Sequence, residues 1–350
     1  MLAISFTAFS QPVSTYIGQD LNTITSAVPF LQIAPDSRAG GMGEAGVSST
    51  PDANSLHWNP AKYTYIENDM GFALSYSPWL RELVSDINLA YLTGYRKLPN
   101  DQVVAGSLLY FSLGDIVFTN ILGQTIGNYR PNEFALSAAY ARKLTQNLSG
   151  AVSARYIHSN LTQGQSSGSA STKPGNSIAA DIALYSRHDI DFPNMEGFFA
   201  WGLNISNIGS KISYSDDNTQ RDFIPTNLRV GPSLTLDVDE YNRLSFMLDI
   251  NKLLIPTPPI YALDSLTGMP VYDENNKQIV IRGMDPDVSV PVGMLQSFYD
   301  APNGFKEEMR ELAFAVGVEY WYDKIFALRA GYFYEDKYKG NRKFLPSELV

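Results

Sequence analysis

The sequence predicts an all-β protein, a transmembrane antiparallel β-barrel with an N-terminal plug segment, and three observations carry that reading. No run of about 18 apolar residues occurs, although 44% of the chain is hydrophobic and 12% aromatic. That excludes a bundle of membrane helices, whereas strands that cross a bilayer alternate and look only half hydrophobic. From about residue 66 the chain becomes a succession of segments with a period of two. The connections between these segments alternate between tight and long, as they do in outer-membrane barrels.

Taken in order, residues 1–11 are apolar and small and read as the end of a secretory signal. No basic region precedes them, so Met1 reads as an internal Met of a longer precursor. Residues 12–65 form a plug or periplasmic segment, and 66–350 form the barrel. Strands are expected at about 69–79, 86–96, 101–112, 132–143, 147–158, 177–187, 196–208, 226–238, 242–251, 310–322 and 325–334. Each is near the roughly 9 to 11 residues that a tilted strand needs to cross a bilayer.

The faces are unequal. Phe134, Leu136, Ala138 and Tyr140 oppose Ala135, Ser137, Ala139 and Ala141; Phe314, Val316, Val318 and Tyr320 oppose Ala315, Gly317 and Glu319. Near the start, Ile87, Leu89, Tyr91 and Tyr95 share one side. A soluble sandwich would bury its bulky face and expose abundant Lys and Glu, yet charged residues make up only 18% of the chain. The bulky face is therefore expected against lipid and the small face inward. By parity Arg155, Asp181, Arg229, Asp249, Glu319 and Arg329 lie on the inward side, three of each sign, and predict a mutually paired lumen.

Short connections fall at 97–100, 144–146, 189–195, 239–241 and 323–324, and long ones at 113–131, 159–176, 209–225 and 252–309. The long set is expected outside the cell. Because the first strand rises from the periplasmic side, the eleventh rises too, and an even-numbered barrel cannot end there. Residues 343–350 do not read as a strand. The parity thus predicts a truncated or frame-shifted sequence with at least one further strand.

Composition removes several functions. With no Cys, a disulfide scaffold, a zinc finger and a thiol enzyme are excluded. Lys and Arg number 26 against 36 Asp and Glu, a net charge of −10, so no nucleic-acid partner is expected. Gly41, Gly43 and Gly46 fit a dinucleotide pattern but lack the flanking strand that pattern needs, so they read as a compact plug segment. Gly164 to Gly168 fits a nucleophile-elbow pattern inside a Ser/Gly-rich stretch and reads as a loop tip. His57, His158 and His188 are scattered, and no metal or cofactor is expected. The insertion 252–309 reads as a projecting hairpin followed by short helices interrupted near Pro302 and Gly304.

Two motifs then become familiar. Pro35-Asp36-Ser37-Arg38-Ala39-Gly40-Gly41-Met42-Gly43-Glu44-Ala45-Gly46-Val47, with Trp58-Asn59-Pro60-Ala61, resembles the N-terminal signature of FadL-like barrels of the type IX secretion system. Gln296-Ser297-Phe298-Tyr299-Asp300-Ala301-Pro302-Asn303-Gly304-Phe305-Lys306-Glu307-Glu308 resembles the PorV family within that group, also called LptO. The resemblance runs from about residue 12 to 343. It implies a 14-stranded barrel, hence three strands beyond the eleven, in the outer membrane of Bacteroidetes. It also implies partners: the SprA/Sov-like translocon, the C-terminal signal domains of cargo, and an attachment complex containing a PorU-like sortase.

The expected function is non-enzymatic, a cargo-binding shuttle in contact with outer-membrane lipid. Phe298, Tyr299, Asp300 and Phe305 are the expected partner-binding loop, and Arg38, Gly41, Met42, Gly43, Asn59 and Pro60 the plug motif. The alternative is a FadL-type transporter of hydrophobic small molecules, which would need an apolar lumen. A lipid-modifying hydrolase would need a nucleophile beside a base, and the sequence shows none.

Overall fold

A chain whose alternating segments are joined by tight turns can satisfy its backbone only by pairing each segment with the next. The computed structural model, which describes residues 21–79, 86–119, 122–161, 172–192, 195–215, 221–264, 267, 269–274 and 277–349, shows that arrangement. Residues 1–11 and the motif at 164–168 lie outside the described residues.

The long strands are β1 (Met70–Pro78), β2 (Asn88–Leu98), β3 (Gln102–Ser112), β4 (Asn132–Lys143), β5 (Leu148–Asn160), β6 (Gly175–Phe192), β7 (Met195–Gly209), β8 (Asn227–Asp237), β9 (Asn242–Leu253), β10 (Ala313–Tyr322) and β11 (Phe326–Tyr334). They coincide with the eleven segments read from the sequence. Each pairs antiparallel with its neighbour in chain order, without a crossover. Residues Lys343–Phe344 and Ser347–Leu349, read as non-strand from the sequence, also pair antiparallel with β11. Their alternation is too short to register as a period, and the pairing takes up the open side of β11.

Tight turns gather at one end of the sheet. There Asn100, Asp101, Asp323 and Lys324 hold left-handed backbone, which Asn and Asp tolerate best. The other end carries the long connections, including a small hairpin of Ile116–Thr119 and Thr125–Tyr129.

The two faces separate as the residue sizes require. On β4, Ala135, Ser137, Ala139 and Ala141 are inward, while Leu136 and Tyr140 are exposed outward. Val152, Tyr156, Ile178 and Ile182 continue that apolar surface over β5 and β6, and Phe72, Leu74 and Tyr76 over β1. A continuous apolar wall of this extent belongs against acyl chains, not water.

β2 departs from the rule. Its bulky residues Leu89, Tyr91 and Tyr95 are buried on the inner face. The cause is the plug, which brings its own aromatic residues to this wall. Tyr63 packs on Tyr95 at 5.2 Å between ring centroids, and His57 meets Tyr91 edge-on at 6.2 Å. β3 follows suit, with Phe111 stacked over Phe30.

The plug, residues 28–65, touches the wall on every side. Ala53 accepts a hydrogen bond from the Thr93 hydroxyl of β2, Ala61 one from Ser149 of β5, and Ser48 one from Ser233 of β8. The Asn59 side chain donates to the Leu184 carbonyl of β6 at 2.9 Å, and Arg38 reaches Glu319 of β10. Gly43 lies against β11, where a Cβ would stand 2.6 Å from the Tyr332 nitrogen, and its φ of +67° is one that side chains disfavour. One short segment meeting strands from β2 to β11 means that the sheet curls around it.

Candidate functional site

Two constructions stand out: an ionic lattice that fixes the plug, and an outer platform built from the insertion 252–309.

The lattice begins with the sequence motif. Asp36 caps α1 (Ser37–Gly41) by accepting the Ala39 N–H, and its second oxygen accepts the Trp58 indole N–H at 2.6 Å. Arg38 forks between Asp52 at 2.9 Å and Glu319 at 2.7 Å, and also donates to the Thr50 carbonyl. Glu319 is shared with Arg329 at 2.7 Å. Gly41 and Met42 are buried at the wall, where a Cβ on Gly331 would fall 2.1 Å from the Met42 carbonyl carbon. Asn59 spans plug and wall, donating to Val47 and Leu184 and accepting from Ala61, and Pro60 opens the following 3-10 helix, Pro60–Tyr65. The glycines thus permit close packing, which is why they resemble a phosphate loop without forming one.

The remaining inward charges are placed as follows. Arg155 pairs with Asp181 at 3.0 Å and also donates to Asn207 and Ser137. Asp249 is fully buried and accepts the N–H groups of Gly46 at 2.7 Å and Val47 at 2.8 Å through one oxygen. Arg229 donates to Asn251 at 2.6 Å and lies over the Trp58 ring. The three histidines stay apart, and among the described residues no cluster of metal-ligating side chains occurs.

The platform comprises α3 (Val290–Gln296) and α4 (Phe305–Arg310). Its outer face carries Leu295, Phe298, Tyr299 and Phe305, which are 68%, 49%, 64% and 79% exposed. Its inner face is ionic and buried. Lys252 bonds Glu308 at 3.2 Å and Glu311 at 2.7 Å, while Lys339 bonds Glu307 at 2.6 Å and Glu311 at 3.0 Å. Glu308 also accepts the Ala301 N–H, and Glu307 accepts from Asn303 and Asn22.

Asp300, grouped with the aromatics from the sequence, belongs to this inner face. It is 1% exposed and accepts the Thr257 N–H at 3.0 Å. The structure therefore gives it a supporting position, with Phe298, Tyr299 and Phe305 left to face outward. Lys252, Glu311 and Lys339 escaped the sequence reading, and Glu307 and Glu308 entered it only as the end of the second motif, without an ion-pairing role. The acidic run before Arg310 was the available signal, but a charged run usually marks a solvated surface.

Burial pushes the Asp300 carboxyl up to about 6, opposed by its Thr257 bonds and assisted by Glu308 and Glu311. A folded-state value above the ordinary 3.8 means that the docked insertion holds a proton more tightly than the free chain does. Its stabilising share is complete below about pH 4 and is lost as pH rises through 6, a change of roughly 2 kcal/mol. Limited proteolysis of residues 260–290 in detergent should therefore be slower at pH 5 than at pH 7.5, and Asp300→Asn should flatten the difference. An identical pH response in that variant would assign the effect elsewhere.

A family model described as type IX secretion system protein PorV matches residues 17–260. The chain belongs to the PorV family. It is thus a component of type IX secretion, and the PorV segment covers the plug and the sheet as far as the start of the insertion. Among solved structures, the chain is similar to the Pseudomonas putida toluene transporter TodX, with 10% identity, 90% of this chain and 85% of that chain covered, and a TM-score of 0.42. The Ralstonia pickettii toluene transporter TbuX gives 10%, 91%, 87% and 0.39, and the CymD monoaromatic hydrocarbon channel 13%, 91%, 84% and 0.37. No curated protein matches the chain.

Proposed function

We propose that this PorV-family protein is a non-catalytic holder of secreted cargo in the outer membrane. In this reading it takes cargo by the C-terminal signal domain from the SprA/Sov-like translocon and delivers it to the attachment complex with its PorU-like sortase. The observation that carries the reading is the platform: aromatic side chains displayed outward at the long-loop end, on a base locked by buried ion pairs. Exposed aromatics on a rigid base are what a protein interface uses, because little side-chain entropy is lost on binding. The plugged interior, with Arg155, Asp181, Glu319 and Arg329 held in ion pairs, favours holding over conduction. A transporter of hydrophobic molecules would need an apolar passage, and the inner cavities here mix apolar side chains such as Leu31 and Phe333 with several Arg and Glu.

Substituting Phe298, Tyr299 and Phe305 together by Ser should abolish capture of a cargo signal domain in a pull-down, a loss of at least about 100-fold. The ion pairs beneath are kept and only the contact of Lys252 with the Phe298 ring is lost, so the barrel should keep its heat stability. Full capture by the triple variant would sink the platform as the cargo site. Point substitution is the cleaner test, since deleting 291–309 would also take Glu308 from Lys252 and Glu307 from Lys339.

A further inference from the structure

Above the plug, at the end carrying the long connections, lies a cavity of about 80 Å³. Gln32, Glu44 and His57 of the plug form its floor, and Asn207, Asn227, Arg229 and Asn251 stand on its walls. Arg342, half-exposed, forms its outer lip. Most of the charges around it are already matched. Arg155 holds Asp181, Arg342 bonds Glu335 at 3.3 Å, and Glu311 holds both Lys252 and Lys339.

Arg229 is different. Its Nε is committed to Asn251, its plane rests on Trp58, and it makes no ion pair among the described residues. The nearby carboxylate of Asp249 is turned toward the amides of Gly46 and Val47. Asp249 and Glu44 supply opposite charge only beyond ion-pair distance, and among the described residues the terminal nitrogens of Arg229 hold no hydrogen bond, so its open fork suits a planar, bidentate oxyanion. The amides of Asn227 and Asn251 supply further donors beside it, while that of Asn207 is committed to the Pro225 carbonyl.

We propose that this cavity binds a carboxylate presented on a narrow polar stem from the outer side, with Arg229 as the charged anchor and Asn227 and Asn251 as flanking groups. Size supports a small headgroup: an apolar cavity that accepts benzene has about 150 Å³, nearly twice the volume here. Fatty acyl chains and aromatic hydrocarbons are excluded on both volume and polarity. The site stands independently of the aromatic platform, since none of its lining residues belongs to the platform's outer face.

The test uses the full chain in detergent and follows Trp58 fluorescence and thermal stability during titration. The probes are N-acetyl-glycyl-glycine with a free carboxylate, the same dipeptide as its amide, inorganic phosphate and octanoate. The free acid should bind and raise the melting temperature, and the amide should bind about tenfold more weakly or less. Arg229→Gln should lose the same factor while keeping the wild-type signal for capture by the platform. Equal binding of acid and amide would overturn the assignment. So would a response to phosphate or octanoate with none to the acid, or an acid response unchanged in Arg229→Gln. The comparison of acid with amide on the unaltered protein decides the matter even if the variant misfolds.

Discussion

Replacing Lys252 by Met unseats the outer platform, lowering the stability of its docking by about 3 to 5 kcal/mol. Lys252 leaves the end of β9 and reaches Glu308 and Glu311, both buried. Met fills much the same volume, so packing is largely kept while the charge is lost. Glu311 then retains Lys339, but Glu308 is left with only the Ala301 N–H beneath the platform. An uncompensated buried carboxylate costs more than its former bond contributed, because its desolvation is no longer offset. The expected result is a rise of 100-fold or more in the rate at which protease cuts residues 260–290, with the barrel intact. Lys277→Met is the control: its partner Asp285 lies 3.5 Å away at an exposed surface, and such pairs contribute under about 1 kcal/mol. Equal cleavage in the two variants would mean that the lattice does not hold the platform down.

The same contrast explains what the sequence could reveal. Residues 132–143 were legible because their two faces meet different media, lipid and a packed interior, and size alone sorts them. β2 was not legible to the same rule, since Tyr91 and Tyr95 serve an interior surface that exists only when the plug is in place. Parity placed Glu319 and Arg329 on the inner face. It could not supply Arg38, which is 281 residues from Glu319 in sequence and belongs to another element. Asp300 illustrates the limit most sharply. Next to Phe298 and Tyr299 it reads as part of a polar rim, yet its hydrogen-bond partner is Thr257, 43 residues away in sequence. Period and residue size report which medium a side chain meets, whereas partners are a property of the closed structure.

Asp249→Ala should free the plug. One carboxylate oxygen of Asp249 receives two consecutive backbone amides, Gly46 at 2.7 Å and Val47 at 2.8 Å, at a site sealed from water. Those amides follow the Gly41-to-Gly46 turn, where the backbone runs too close to the wall for any substitute donor or acceptor to enter. A Cβ on Gly202 would lie 2.2 Å from the Val47 carbonyl oxygen. Removing the carboxylate leaves two buried donors unpaired, and hydrogen bonds to a charged acceptor contribute about 1.5 to 3 kcal/mol each. The total, roughly 3 to 6 kcal/mol, is comparable to the stability of a small domain. It concentrates on a segment with little regular structure of its own. Asp249→Asn keeps an acceptor without the charge and should lose about half as much. The chain has no Cys, so Ser48→Cys, at a fully buried plug position, reports opening directly by its reaction with a water-soluble maleimide. Labelling should be slow in the parent, faster with Asp249→Asn, and at least about 100-fold faster with Asp249→Ala. If the three rates coincide, the plug is held by its packing against Gly317 and Gly331 and not by this carboxylate, and substitution of Gly331 becomes the informative change.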